Sequence, residues 1–178
     1  MRRKGKGTDL RNQTLKSNAR KLTYEAFIKK IAPRELKIDV SAVRFEPITT
    51  PAIEKCHLWE GAANYPWDRI PEWKRKDPKG FDLAIWYGQN LCSLCYATPR
   101  RSAICLKIIL LQGDPDRSHP LRGLIAQIAI LAADFYARML GCRAIEIQEP
   151  DPKVIFYYRY PGFDFDQNNR LVMYLNDQ

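Results

Sequence analysis

No stretch of this sequence approaches the roughly 18 apolar residues of a membrane-spanning helix. Lys107 interrupts one apolar run, and Gln127 and Asp134 interrupt another. The N-terminus is basic but lacks the apolar segment of a signal peptide, so a cytoplasmic location is expected. Histidine is scarce, with two residues, and the five cysteines are an odd number that suits a reducing compartment and buried thiols. Cys92 and Cys95 have the spacing of a metal or redox pair. In a strand, however, their odd offset points the thiols to opposite faces, and the isolated His57 and His119 complete no tetrahedral zinc set. No metal is therefore expected. The absence of a Gly-x-x-x-x-Gly-Lys-Ser/Thr loop argues against a P-loop nucleotide enzyme. Asp116, Ser118 and His119 are neighbours in one turn, which is no triad without geometry.

The chain has enough apolar residues, 46% of 178, for one packed domain. Its charge is unevenly spread. Residues 1–40 hold twelve Lys or Arg against four acids, whereas the remaining 138 hold 17 and 16, so nearly all of the +9 excess lies at the N-terminus. Residues 1–40 read as a basic arm: 1–20 mobile, then a short amphipathic helix over 23–31 that Pro33 stops. The arm suits electrostatic contact with nucleic acid or an acidic protein face, or serves as a solubilising tail. Residues 41–178 form the body.

In the body, the pattern predicts a strand over 41–48. A helix follows over about 51–60, with an N-cap candidate in Thr49-Thr50-Pro51, Pro51 in the first turn, and Ile53, Cys56 and Trp59 inside. Residues 61–80 break into an aromatic, proline-rich segment. There Tyr65, Trp67 and Asp68 either line a substrate cleft as a lid, with Asp68 holding a cationic amine, or the aromatics anchor the segment on a sheet. Apolar runs at Phe81–Tyr87 and 91–97, joined by Gly88-Gln89-Asn90, predict a hairpin. A nearly continuous apolar strand over 103–111 leads to a turn over 112–119. A helix opened by Pro120 and stopped by Gly141 comes next, with Leu124, Ile128, Leu131, Phe135 and Met139 as its buried stripe. A strand over 143–148, a proline-opened aromatic segment ending at Gly162-Phe163, and a last strand over 171–175 complete an α+β, mixed-sheet architecture with helices on both faces.

A strand that feeds a turn and a helix beginning near Arg122-Gly123 is an arrangement for binding an anion. The first N–H groups of a helix lack intrahelical partners, and glycine permits close approach. Residues 151–163, DPKVIFYYRYPGF, are similar to the Asn-Pro-x-Ala-x-x-x-Tyr-x-x-x-Gly-Phe helix of the GCN5-related N-acetyltransferase (GNAT) family, with Pro152, Tyr158, Gly162 and Phe163 in matching places. Gly123 stands at the central glycine of that family's pyrophosphate turn, with Pro120 and Ile125 at the flanking polar and small positions. The resemblance implies acetyl-CoA as cosubstrate, held near Leu111 and by the backbone of Arg122, Gly123 and Leu124. It implies Tyr158 as the acid that protonates the leaving thiolate, with Tyr157 as a competitor about 100° away on the helix. For the base, Glu60, Asp68, Glu146 and Glu149 are candidates, with Glu149 at its strand end favoured. Tyr65, Trp67 and Asp68 are the acceptor-side candidates. The acceptor amine stays open: an aminoacylated RNA, a protein near nucleic acid, or something unrelated. The alternative is a GNAT-fold binding module without catalysis, its arm on nucleic acid.

Overall fold

The computed structural model describes residues 6–34, 37–61, 64–99, 101, 104–159 and 162–176. Its largest departure from the sequence pattern is at the N-terminus. Instead of a mobile arm, α1 (Lys6–Ala26) is a continuous 21-residue helix, followed by a π-helical turn at Phe27–Ile31 and a 3-10 turn at Ala32–Arg34. The side chains that α1 buries, Asn12, Lys16, Ala19, Arg20 and Thr23, have helical spacing but are almost all polar. Hydrophobic periodicity is blind to such a stripe.

Those polar groups are buried because the sheet supplies a partner. β1 (Val43–Glu46) pairs with β2 (Phe81–Tyr87) over Ala84–Tyr87 alone, so β2 reaches past the end of its neighbour. Arg20 bonds to that uncovered stretch. Its Nε and Nη2 donate to the Asp82 carbonyl at 3.1 and 2.6 Å, and Nη2 also reaches Oδ1 at 3.2 Å. Asp82 is 1% exposed; its Oδ2 accepts the Ile48 N–H at 2.7 Å and pairs with Lys74 at 2.9 Å. Burial pulls the Lys16 and Arg20 pKa values down, against the opposing pull of Asp82. Two of the cations assigned to the arm are thus structural, and α1 shares one core with the body: Ala19, Phe27 and Ile31 cluster with Leu83, Leu106 and Ile128.

One sheet runs through the molecule in the order β1-β2-β3-β4-β5-β7-β6. Its further members are β3 (Asn90–Thr98), β4 (Cys105–Gly113), β5 (Ala144–Ile147), β6 (Asp164–Phe165) and β7 (Leu171–Tyr174). β4 and β5 are parallel, and every other pairing is antiparallel. One face carries Leu83, Ile85, Leu106, Ile108 and Ile145 against α1 and α4 (Ile125–Leu140). The other carries Ala84, Trp86, Leu94 and Tyr96 against α2 (Thr50–Cys56) and α3 (Ile70–Lys76). Burial on both sides is why these strands read as continuous apolar runs.

Several boundaries move for local reasons. A 3-10 turn at Val40–Ala42, capped by Asp39, occupies the start of the expected first strand, and α2 ends at Cys56 rather than residue 60. The expected lid is instead a 3-10 turn at Trp67–Arg69 running into α3, which has proline in its first turn. α4 begins at Ile125, five residues after Pro120, and stops as predicted at Gly141, whose φ is +77°. The register of β3 skips Cys92 between Ile85↔Ser93 and Trp86↔Leu91. This bulge reverses the expected alternation, and Cys92 and Cys95 belong to the same buried cluster rather than to opposite faces. Burial pushes both thiols up to about 12, so neither is a ready thiolate. Among the described residues no group of three metal-ligating side chains forms, and no helix is long and apolar enough to cross a membrane.

Candidate active site

β4 and β5 run side by side from Cys105↔Ala144 to Ile108↔Ile147 and then separate. The Gln148 N–H bonds to the Ile108 carbonyl at 3.0 Å, after which Glu149 takes a left-handed φ of 45° and the chain turns away. β4 continues alone against β3 to Gly113. Its register skips Ile109, between Tyr96↔Leu110 and Ala97↔Ile108, so a bulge bends β4 where the gap opens. The result is a cleft of about 620 Å³ in the sheet. Along it, residues 109–113 of β4 present backbone groups that no β5 residue pairs.

Tyr158 forms part of the far wall. It comes from α5 (Ile155–Arg159), is 7% exposed, and stands edge-on to Phe163 with ring centres 6.1 Å apart. The Phe163 N–H donates to the Tyr158 carbonyl at 3.2 Å, so the Gly162-Phe163 ending fixes the helix that carries the phenol. Burial pushes this phenol up to about 12, with Cys95, Tyr65 and Asp151 adding to the shift. The side chain of Tyr157 lies outside the described residues.

Of the residues expected to hold a cofactor, Leu111, Arg122 and Gly123 line the cleft. Leu124 does not; it caps α4 and packs on the core. The Arg122 N–H donates to the His119 carbonyl at 3.1 Å and the Leu124 N–H to Leu121 at 3.0 Å, so these donors are engaged in turns. The first intrahelical bond runs from the Ile128 N–H to Leu124 at 2.9 Å. The open donors of α4 therefore belong to residues 125–127, of which Ile125 and Ala126 line the cleft. Gly123 has a φ of +82°, and a Cβ there would meet nothing within 4 Å, so its role is conformational rather than steric.

On the acceptor side, Tyr65 lines the cleft, but Trp67 and Asp68 do not. Trp67 is 1% exposed and lies under the site, where its Nε1–H donates to Gln112 Oε1 at 2.6 Å and its ring stacks with Tyr65. It braces two lining residues, Gln112 and Tyr65. Trp67→Phe should cost about 1–3 kcal/mol in urea unfolding, from the lost hydrogen bond and volume. Asp68 pairs with His57 at 2.9 Å away from the cleft, and Glu146 pairs with Lys107 at 3.2 Å toward the other end of β4. Of the proposed bases, Glu60 and Glu149 remain at the cleft.

His119, which the sequence pattern set aside as an isolated histidine and as no triad member, also lines the cleft. Its Nδ1 is buried and, among the described residues, without a hydrogen-bond partner. Burial, helped by Arg122 and opposed by Asp114 and Asp116, holds its imidazole below the ordinary 6.5, so it is neutral near pH 7. A polar turn residue beside a strand end is a weak signal; only the path of residues 113–124 brings it to the cleft.

No family sequence model and no curated protein sequence matches this chain. Solved structures do. A GNAT-family acetyltransferase from Staphylococcus aureus Mu50 superposes with a TM-score of 0.59 at 10% identity, covering 76% of this chain and 100% of its own. For yncA of Salmonella typhimurium, determined with acetyl-CoA, the values are 0.57, 10%, 77% and 96%. For the ribosomal-protein-S18-alanine N-acetyltransferase of Escherichia coli they are 0.56, 10%, 76% and 96%. The chain has the GNAT fold.

Proposed function

Starting from that fold, we propose that the protein transfers an acetyl group from acetyl-CoA to an amine. The observation that carries this reading is the wedge between β4 and β5, with the bulge at Ile109 on one wall and the protonated phenol of Tyr158 on the other. The unpaired edge of β4 at 109–113 offers an amide-bearing pantetheine arm the partners that a neighbouring strand would otherwise supply. The start of α4, with Arg122 and the open Nδ1 of His119 beside it, suits the diphosphate. Acetyl-CoA is itself a substrate. The amine nitrogen attacks the thioester carbonyl, a C–N bond forms and the C–S bond breaks. The thiolate takes the Tyr158 proton, and the proton lost by the nitrogen passes to Glu149 or to water, which returns one to the phenol.

At about one hundred times its dissociation constant, acetyl-CoA should add about 2.7 kcal/mol to stability in thermal unfolding. No shift at millimolar coenzyme would remove the reading. A second reading, a GNAT-fold binding module without turnover, is favoured by the engaged N–H groups of Arg122 and Leu124; binding of coenzyme without CoA release in the presence of any amine would select it. For the basic N-terminus, exposed Arg11, Lys21, Lys29 and Lys30 remain for phosphate contact, since Lys16 and Arg20 are buried. Their replacement by Gln should flatten the salt dependence of any nucleic-acid binding; an unchanged slope would rule out that contact.

A further inference from the structure

A second cavity, of about 760 Å³, lies at the other end of the parallel strands, where Cys105 and Lys107 of β4 and Glu146 of β5 line it. Lys107 and Glu146 are register partners, and each alternates with core residues of the opposite face, Leu106 and Ile108, Ile145 and Ile147. Both therefore project from the side of the sheet that carries α2 and α3. The apolar cluster beneath those helices reaches β4 at Ile109 and Leu110 but has no member from β5 or β7, so α2 and α3 leave this part of the sheet uncovered. No described residue lines both this cavity and the cleft.

Glu146 is 5% exposed, and only one of its oxygens is answered. Oε1 pairs with the Lys107 ammonium at 3.2 Å, whereas Oε2 is buried without a hydrogen-bond partner. A buried carboxylate oxygen without a donor is costly, and such a group calls for an explanation. The charge around it is mainly of the other sign. Lys76, Arg101, Lys107 and Arg170 line the cavity against Asp77 and Glu146, an excess of two positive charges. Arg101 is exposed and has no ion pair among the described residues. Lys76 and Arg170 pair with Glu72 and Asp166 at i,i+4 spacing on the surface, pairings of a kind that contributes little and can yield to a ligand. Asp77 is already engaged, accepting from the Lys79 N–H at 3.2 Å and from the Thr98 hydroxyl.

We propose that this cavity binds a small hydroxyl-bearing dianion, with its anionic groups on Arg101, Lys76 and Arg170 and its hydroxyl donating to Glu146 Oε2. Guanidinium forks match the oxygens of a carboxylate or a phosphate. The positive excess repels an ammonium, so the donor that answers Glu146 is a neutral hydroxyl. The lining includes no aromatic ring, which leaves a nucleobase without a stacking surface. The site is separate from acetyl transfer and does not depend on it.

The test titrates two matched pairs of anions into the full-length protein by calorimetry: malate against succinate, and glycerol 3-phosphate against propyl phosphate. Within at least one pair the hydroxyl-bearing member should bind about tenfold tighter, and the pair that shows the preference identifies the anionic group. Arg101→Ala, at an exposed position, should weaken both members of that pair about fivefold or more. Glu146→Gln should reduce the preference to about threefold or less without weakening the member that lacks the hydroxyl, because the repelling charge is gone while the shape is kept. A damaged fold would weaken both members alike. Binding should persist under saturating acetyl-CoA. No binding of any of the four at millimolar concentration, equal affinity within both pairs, unchanged binding in Arg101→Ala, or displacement by acetyl-CoA would overturn the proposal.

Discussion

Tyr158→Phe is expected to lower kcat about a hundredfold while leaving acetyl-CoA affinity within about twofold. The phenol is buried against Phe163, so phenylalanine keeps the packing and removes only the hydroxyl. Desolvation disfavours the phenolate, which is why the group, at about 12, retains its proton far above neutral pH and can give it to a thiolate. In the wild type, kcat should therefore rise with pH as the amine and its base deprotonate, and Tyr158 should cause no fall up to about pH 10. A parallel loss of kcat and coenzyme affinity in Tyr158→Phe, or a stability loss that accounts for the rate, would reduce the residue to a packing role.

Asp82→Ala should be the most damaging substitution for stability, costing about 3–5 kcal/mol in urea unfolding. It would strip the carboxylate from between Arg20 and Lys74, and Arg20, with 8% side-chain exposure, has little access to water. The loss should extend to α1, whose amide exchange near residues 16–23 should quicken. Arg20→Met, which removes a buried charge along with its partner's bond, should cost less than Asp82→Ala. A loss below about 1 kcal/mol in Asp82→Ala would mean that α1 is held by its few apolar contacts and not by this pairing.

The contrast between these two positions shows where sequence reasoning reaches and where it stops. The surroundings of Tyr158 were legible because they are local: Pro152 precedes α5 and Gly162-Phe163 follow it, all within a dozen residues of the phenol. The hairpin of β2 and β3 and the Gly141 stop of α4 were legible for the same reason. Asp82 gave no signal, since its partners come from positions 20, 48 and 74, and a buried Arg looks like any basic residue until an acid is set beside it. For Trp67 and Asp68 the sequence left two readings open, lid or anchor, because residues 61–76 look irregular in one dimension; in space the Trp67 indole is buried and bonds to Gln112, as an anchor does, and Asp68 is turned to His57.

By itself, the sequence determined the succession of β1, α2, β2, β3, β4, α4, β5 and β7, the mixed sheet with helices on both faces, and the phenol-bearing segment, because hydrophobic period, turn residues and caps act over a few neighbouring positions. The tertiary structure alone decided that the basic N-terminus is a helix docked through buried charge, that the open donors at α4 start at Ile125, and that β4 and β5 part after Ile108 to open the cleft. Each of these depends on which distant side chain stands opposite, on a one-residue bulge, or on the point where two strands part, and no local pattern carries that information.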